Sequence, residues 1–262
     1  MLKERVLITG ASSGIGKSIA KLLSEKGFDV VGTSRDPEKI TDKIPGVKYL
    51  TLDQLSEESI NRLVERAGDI DILINNAGQG QVGPLEDVPI EKIRSLFEVN
   101  LFGPVQLTKA ILPSMRQRRK GLIINLSSMS GIFGVGFTSV YCGTKFAIEG
   151  IFRSLRQEVK SFGINVVQIE PGYIATGFKQ DPYIDQKSDY YNNLKIFKEI
   201  RDRNIETGVH PDEVAKKVLY VIKQKNPKPG YPVGGDAPRN AFLNRILPVR
   251  LVEWVQRKKF KS

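Results

Sequence analysis

The chain has 262 residues, 40% hydrophobic and 26% charged, a size and balance that fit one α/β domain with a single substantial core. Its one cysteine, Cys142, excludes an internal disulfide and a cysteine-built metal centre, and its one histidine, His210, excludes a histidine cluster. The net charge of +11 is spread along most of the chain with no recognition motif beside it, so nucleic acid is not expected as a partner.

Met1 to Val6 carries no apolar stretch framed as a secretory leader, so a cytoplasmic compartment is expected. The first predicted strand, Val6 to Thr9, runs into Gly10-Ala11-Ser12-Ser13-Gly14-Ile15-Gly16 and then a helix over Ile15 to Lys26. Glycines there allow a tight turn, and backbone N–H groups at the helix start can meet a pyrophosphate, so Gly10, Ser12, Ser13, Gly14, Ile15 and Gly16 are candidate dinucleotide contacts. The second strand, Val30 to Thr33, ends at Ser34-Arg35. A carboxylate at that point would accept from a ribose 2′-hydroxyl and repel a 2′-phosphate, whereas Arg35 can grip the phosphate as a fork. NADP(H) is therefore expected over NAD(H), although Ser13 supplies no second cation.

Strands follow at Tyr49 to Leu52 and Ile72 to Asn75, the latter ending in Asn76-Ala77-Gly78, where a ligand of an open α/β sheet lies. A long helix is expected over about Ile90 to Arg116. Pro104 should bend it, because proline lacks an N–H and its ring collides with the carbonyl four residues back, here that of Asn100. A distorted helix at 100 to 104 is expected, with the freed Asn100 carbonyl facing the crevice.

Next come a strand at Leu122 to Leu126, an apolar wall at Ile132 to Phe137, and a helix at Val140 to Ser161. Tyr141 and Lys145 are four apart on that helix and share one face, so an ammonium one turn away can stabilise a phenolate and lower the tyrosine pKa from about 10. Cys142, the neighbour of Tyr141, is expected to pack as a small buried residue. The strand Val166 to Ile169 completes a βαβ rhythm whose short β-branched runs alternate with helices, as in a parallel sheet covered on both faces.

Beyond Thr176 the rhythm breaks over about 177–206, where Tyr183, Tyr190, Tyr191 and Phe197 stand among charges, as in a substrate lid. Those aromatics either line a pocket or pack the loop on the body. His210 precedes a helix over Pro211 to Lys223 and should cap it. The tail, a basic amphipathic helix at about 247–259, sets Leu247, Leu251, Trp254 and Val255 at helical spacing among Arg245, Arg250, Arg257, Lys258, Lys259 and Lys261. It docks either on protein or, peripherally, on anionic lipid; it is too short and charged to span a bilayer.

The ordered motifs T-G-x-x-x-G-x-G, N-N-A-G and Y-x-x-x-K resemble those of classical short-chain dehydrogenases/reductases over residues 4 to 176. The resemblance implies a Rossmann-type doubly wound parallel sheet in three layers α/β/α, forming one domain over 1–262. It implies Tyr141 as general acid/base, Lys145 binding ribose and tuning Tyr141, and Ser128 rather than the adjacent Ser127 orienting the substrate oxygen. Asn100 would be the fourth member, its carbonyl holding a water near Lys145. Asp53 would contact adenine, while Asn76, Ala77, Gly78, Pro171, Gly172, Ile174 and Thr176 complete the cofactor wall. The stretch from Tyr141 to Gly150 is similar to members acting on hydroxysteroids and retinoids, so an apolar alcohol or carbonyl substrate is expected. A homodimer or homotetramer through the helices after Ile90 and Val140 is implied as well. The other reading is a non-catalytic NADP(H) sensor, whose mark would be a missing member of the Asn100, Ser128, Tyr141, Lys145 set.

Overall fold

The computed structural model describes residues 3–178 and 180–260, without the side chains of residues 256, 259 and 260. Lys261 therefore lies outside the described residues, as does the Lys259 side chain. The elements in chain order are β1 Arg5–Ile8, α1 Gly14–Glu25, β2 Asp29–Ser34, β3 Val47–Thr51, α2 Glu57–Ala67, β4 Ile72–Asn75 and β5 Gly80–Val82. There follow α3 Ile90–Phe97, α4 Gly103–Arg118, β6 Gly121–Leu126, α5 Ser139–Glu158, β7 Ile164–Pro171 and β8 Gln180–Pro182. The last are α6 Tyr191–Glu206, α7 Pro211–Ile222, β9 Gly230–Val233, α8 Ala237–Ile246 and α9 Val249–Phe260.

A seven-stranded sheet runs in the order β3-β2-β1-β4-β6-β7-β9, with every pairing parallel. Parallel strands need crossovers, and helices cover both faces, so the strands are apolar on both sides. On one face Ile19 and Leu23 of α1 meet Val214 and Val218 of α7 over Val6, Ile8 and Ile74. On the other, Ile60 and Leu63 of α2, Leu107 and Ile111 of α4 and Phe152 of α5 pack over Leu7, Leu73 and Ile123. Because β1 has β2 on one side and β4 on the other, the chain reverses direction between β1 and β4, and a crevice opens beyond their C-terminal ends.

Two elements escape the pattern read from the sequence. Strand β9 contains Pro232, which is tolerated because β9 is the sheet's edge and one side of it needs no donor. The segment after Thr176 is partly regular: β8 pairs with β5, and α6 sets Leu194 and Phe197 against Val82. Phe197 both packs there, its ring tilted against that of Phe137 with centroids 5.4 Å apart, and lines the main cleft, while the Tyr190 hydroxyl donates to Glu86 at 2.9 Å.

The helix expected over Ile90 to Arg116 is indeed interrupted. Residues Glu98–Phe102 form a π turn, in which the Gly103 N–H reaches the Glu98 carbonyl. The extra residue in that turn carries the chain past Pro104, which cannot continue an α ladder from Asn100. Gly103 is held tight here, since a methyl group on it would lie 2.7 Å from Cβ of Gln54. His210 caps α7, its Nδ1 accepting from the Asp212 N–H at 3.3 Å. Cys142 is buried, 3.4 Å from the Thr138 hydroxyl.

The tail forms two helices. Ala237 and Ala241 of α8 bury against Met129, whereas α9 touches α6 and leaves Val249, Trp254 and Val255 exposed. Lys258 lies 4.3 Å over the Trp254 ring.

Candidate active site

The crevice at the β1/β4 reversal widens into a cleft of about 920 Å³. Its floor begins at the glycine turn. Gly10 has φ +67°, which a side chain would strain, and a methyl group on it would sit 3.1 Å from Cα of Ala77. A methyl on Gly16 would lie 2.3 Å from the Gly10 carbonyl oxygen and 2.4 Å from the Asn76 amide nitrogen. Gly16 therefore lies behind the cleft and lets α1 close on the turn, while Gly10, Ser12, Ser13, Gly14 and Ile15 form the wall.

Thr9 and Asn76 lock the two motifs together. The Thr9 hydroxyl accepts from the Asn76 and Ala77 N–H groups, each at 2.9 Å, and the Asn76 amide donates to the Thr9 carbonyl at 2.8 Å. At the start of α1, Ser13 makes no side-chain cap and the first turn holds no acid, so an anion meets the positive helix end unopposed. That donor set fits a dinucleotide pyrophosphate.

Further out, Asp53 lines the cleft, its carboxylate accepting from the Leu55 N–H at 3.0 Å. Arg35 lines both the cleft and an adjoining recess that contains Ser12, Ser34 and Lys39. Asp36, the nearby acid, is paired with Lys39 at 2.9 Å, which holds its carboxyl below the ordinary value. Lys39 escaped the sequence reading because it is four residues beyond Arg35 and only the short helix at Pro37–Lys39 folds it back. On the opposite wall stand Ala77, Gly78, Pro171, Gly172, Ile174 and Thr176. Gly172 is held by its N–H to Val233 of β9 at 2.9 Å.

At the centre, Ser128, Tyr141 and Lys145 converge. The Ser128 hydroxyl accepts from the Ser130 N–H at 3.1 Å and favours the Tyr141 phenolate, while the Ser127 hydroxyl is buried. The Lys145 ammonium donates to the Leu126 carbonyl at 2.8 Å and lies 5.7 Å from the Tyr141 ring centre. Burial pushes Tyr141 up to about 12, against the pull of Ser128 and the Arg201 charge. The expected lowering by Lys145 is not found in the protein alone: Ser128 and Arg201 are the neighbours that favour the phenolate, and loss of hydration penalises it more than they stabilise it. Lys145 is depressed to about 8 by burial, with Glu149 opposing. At neutral pH both groups carry their protons.

Asn100 does not line the cleft. It is buried in the π turn, where its amide pairs with both backbone groups of Gln79, each at 2.8 Å, and donates to the Thr144 hydroxyl at 3.2 Å. It fastens the loop after β4 to α5 and thereby fixes the spacing between Gly78 and Lys145.

Behind Lys145 lies a buried carboxyl pair that no motif signalled. Glu149 and Glu170 share Arg153, at 2.9 and 3.4 Å, and burial together with Glu149 raises Glu170 to about 7. A carboxyl whose folded pKa lies above its unfolded value loses stability as pH rises from about 4.5 to 7. Glu170→Gln should therefore melt a few degrees higher than the parent at pH 8, with the gap closing at pH 5. Equal gaps at the two pH values in a thermal melt would show that Glu170 does not titrate in this way.

Among the described residues, no group of three or more His, Cys, Asp or Glu is placed to hold a metal ion.

Comparison with known proteins agrees with this architecture. The family model described as short chain dehydrogenase matches residues 4–187. A 3-ketodihydrosphingosine reductase of Bacteroides thetaiotaomicron is 38% identical over 87% of this chain and 86% of its own, and retinol dehydrogenase 8 of Homo sapiens is 34% identical over 85% and 78%. Among solved structures, a short-chain dehydrogenase from Streptomyces avermitilis superposes with TM-score 0.84 at 32% identity, covering 100% of this chain and 98% of its own. An alcohol dehydrogenase from Thermococcus sibiricus, solved with 5-hydroxy-NADP, has TM-score 0.71 at 26% identity over 89% and 97%. This chain belongs to the short-chain dehydrogenase family and is an oxidoreductase acting on CH–OH groups.

Proposed function

We propose that this enzyme uses NADP(H) to interconvert an apolar alcohol and its ketone or aldehyde. The observation that carries the reading is the convergence of Ser128, Tyr141 and Lys145 in the wall of one cleft that also holds Arg35. The nicotinamide, when bound, supplies or accepts hydride. Tyr141 holds at its hydroxyl the proton that a reduced carbonyl oxygen takes, and Ser128 orients that oxygen. Lys145 keeps positive charge next to the phenol, and the Asn100 backbone carbonyl is the acceptor for a water that serves it. The apolar substrate is supported by Phe133, Val135 and Phe178 in the cleft wall, and by relatives named for a ketosphingoid and a retinoid. The 2′-phosphate falls to Arg35, with Lys39 beside it.

The test is NADPH absorbance loss against a panel of steroid, retinal, aliphatic, quinone and 3-oxoacyl carbonyls, with Tyr141→Phe as control. Turnover that survives the substitution, or NADP(H) binding without turnover on any member, favours the sensor reading.

A homo-oligomer is supported by Phe146 and Ile151, apolar and exposed on α5. Peripheral contact of the tail with anionic lipid is supported by the exposed Trp254 and Val255 beside Arg250 and Arg257. No helix of the described residues is long and apolar enough to cross a membrane. Removing residues 248 to 262 should abolish sedimentation with phosphatidylserine vesicles and leave the melting temperature nearly unchanged; a large drop in melting temperature would mean that the tail docks on protein instead.

A further inference from the structure

One charged group in the cleft wall has no task in that chemistry. Arg201 projects from α6 into the lining, and its side chain is only 15% exposed. A guanidinium so far from water is costly unless a partner of opposite charge faces it. The carboxylate recorded beside it is that of Asp202, at 3.9 Å, beyond hydrogen-bond reach, and Asp202 is engaged at 2.5 Å by Lys198. Burial lowers the pKa of Arg201 below its ordinary value, with Tyr173, Asp202 and Tyr141 opposing.

The influence on Tyr141 is reciprocal, since the Arg201 charge favours the Tyr141 phenolate. Arg201 and Tyr141 also line the same cleft, so a ligand there can meet both. Arg201 does not serve the cofactor phosphates, whose cradle lies at Gly10 to Ile15 and Arg35, at the other end of the cleft. The same lining holds the apolar Phe133, Val135 and Phe178, and, as polar but uncharged groups, Tyr173 and Asn204. The other charged groups in the lining are Lys145 at the centre, Asp53 and Arg35 at the adenosine end, and Asp236 at the start of α8.

We propose that Arg201 is a specificity-determining residue that receives a carboxylate carried a few bonds from the reacting carbonyl, so that the preferred substrate is an oxo acid with an apolar chain. The proposal rests on the carbonyl-reducing reading above and names the substrate class within it. A forked guanidinium pairs with a carboxylate through two parallel bonds, and a low-polarity wall strengthens that pairing. The net charge of +11 also draws anions to the molecule.

The substrates for the test are 2-oxodecanoate and 4-oxodecanoate, each against its methyl ester, with 1-amino-2-decanone as the cationic competitor. For the unaltered enzyme with NADPH, kcat/KM for one oxo acid should exceed that of its ester at least tenfold. In Arg201→Gln this acid-to-ester ratio should collapse toward one, and Arg201→Lys should recover part of it. Equal use of acid and ester, preference for the amino ketone, or a ratio that Arg201→Gln leaves unchanged would overturn the proposal. A direct measurement separates this from the chemistry: decanoate binding to the NADP⁺-loaded protein by calorimetry should weaken at least tenfold in Arg201→Gln. If decanoate binds in this way while no carbonyl is reduced, the reductase reading fails and the Arg201 site stands. If carbonyls are reduced and decanoate binding does not depend on Arg201, the site fails and the reductase stands.

Discussion

Tyr141→Phe is expected to lower turnover by at least about a hundredfold while NADP(H) affinity stays within a few-fold of the parent. The substitution removes one hydroxyl and almost no volume, so the packing around Val140 and Phe97 on α5 and α3 is kept. What disappears is the hydroxyl proposed above to give its proton to the substrate oxygen. Loss of general acid catalysis costs about 10²–10⁴ in rate. Since Tyr141 is pushed up to about 12, it is protonated across the usual assay range, and reduction should not fall for want of its proton at neutral or mildly alkaline pH. Single-turnover kinetics with preloaded NADPH would check this, and an unchanged chemical step would remove Tyr141 from the mechanism.

Arg35→Ala should weaken NADPH binding roughly ten- to hundredfold and NADH binding far less, because a hydrogen bond to a charged group is worth about 1.5–3 kcal/mol. Arg35 is exposed at the edge between the cleft and the recess with Lys39, so its removal leaves no cavity and should not disturb the fold. The selectivity is the diagnostic part. An NADH molecule carries no 2′-phosphate, so an equal loss for both cofactors, measured by fluorescence titration, would mean that Arg35 touches something common to the two. Lys39 is paired with Asp36 and is expected to make a smaller contribution, since binding a phosphate would require it to share that partner.

The parts of the site that were legible in the sequence are those made by neighbouring residues. The turn at Gly10 to Gly16 depends on local backbone torsions and on a backbone approach that admits no Cβ, so the residue types declare it. The same holds for Tyr141 and Lys145, whose shared face follows from the pitch of α5. Pro104 announced the break in the long helix, because a missing N–H is a covalent fact; that the break would be a π turn was settled by how Gly103 fits against Gln54.

Other features were silent. Strand β9 carries Gly230 and Pro232 and is followed by Gly234-Gly235, and only its edge position beside β7 makes it a strand. The side chain of Asn100 braces Gln79, a role beyond the one expected of its backbone carbonyl, which needs the π turn and the loop after β4 brought together.

By itself, then, the sequence determined the parallel α/β rhythm, the glycine cradle, and the order of Ser128, Tyr141 and Lys145, since these follow from torsions, periodicity and short spacings. Tertiary structure alone decided which charges matter. It buried Glu170 beside Glu149, and it brought Arg201 from α6 to within electrostatic reach of Tyr141, 60 residues earlier in the chain. Desolvation and Coulomb interaction depend on three-dimensional neighbours, so a carboxyl raised to about 7 and a phenol raised to about 12 leave no trace in the order of residues.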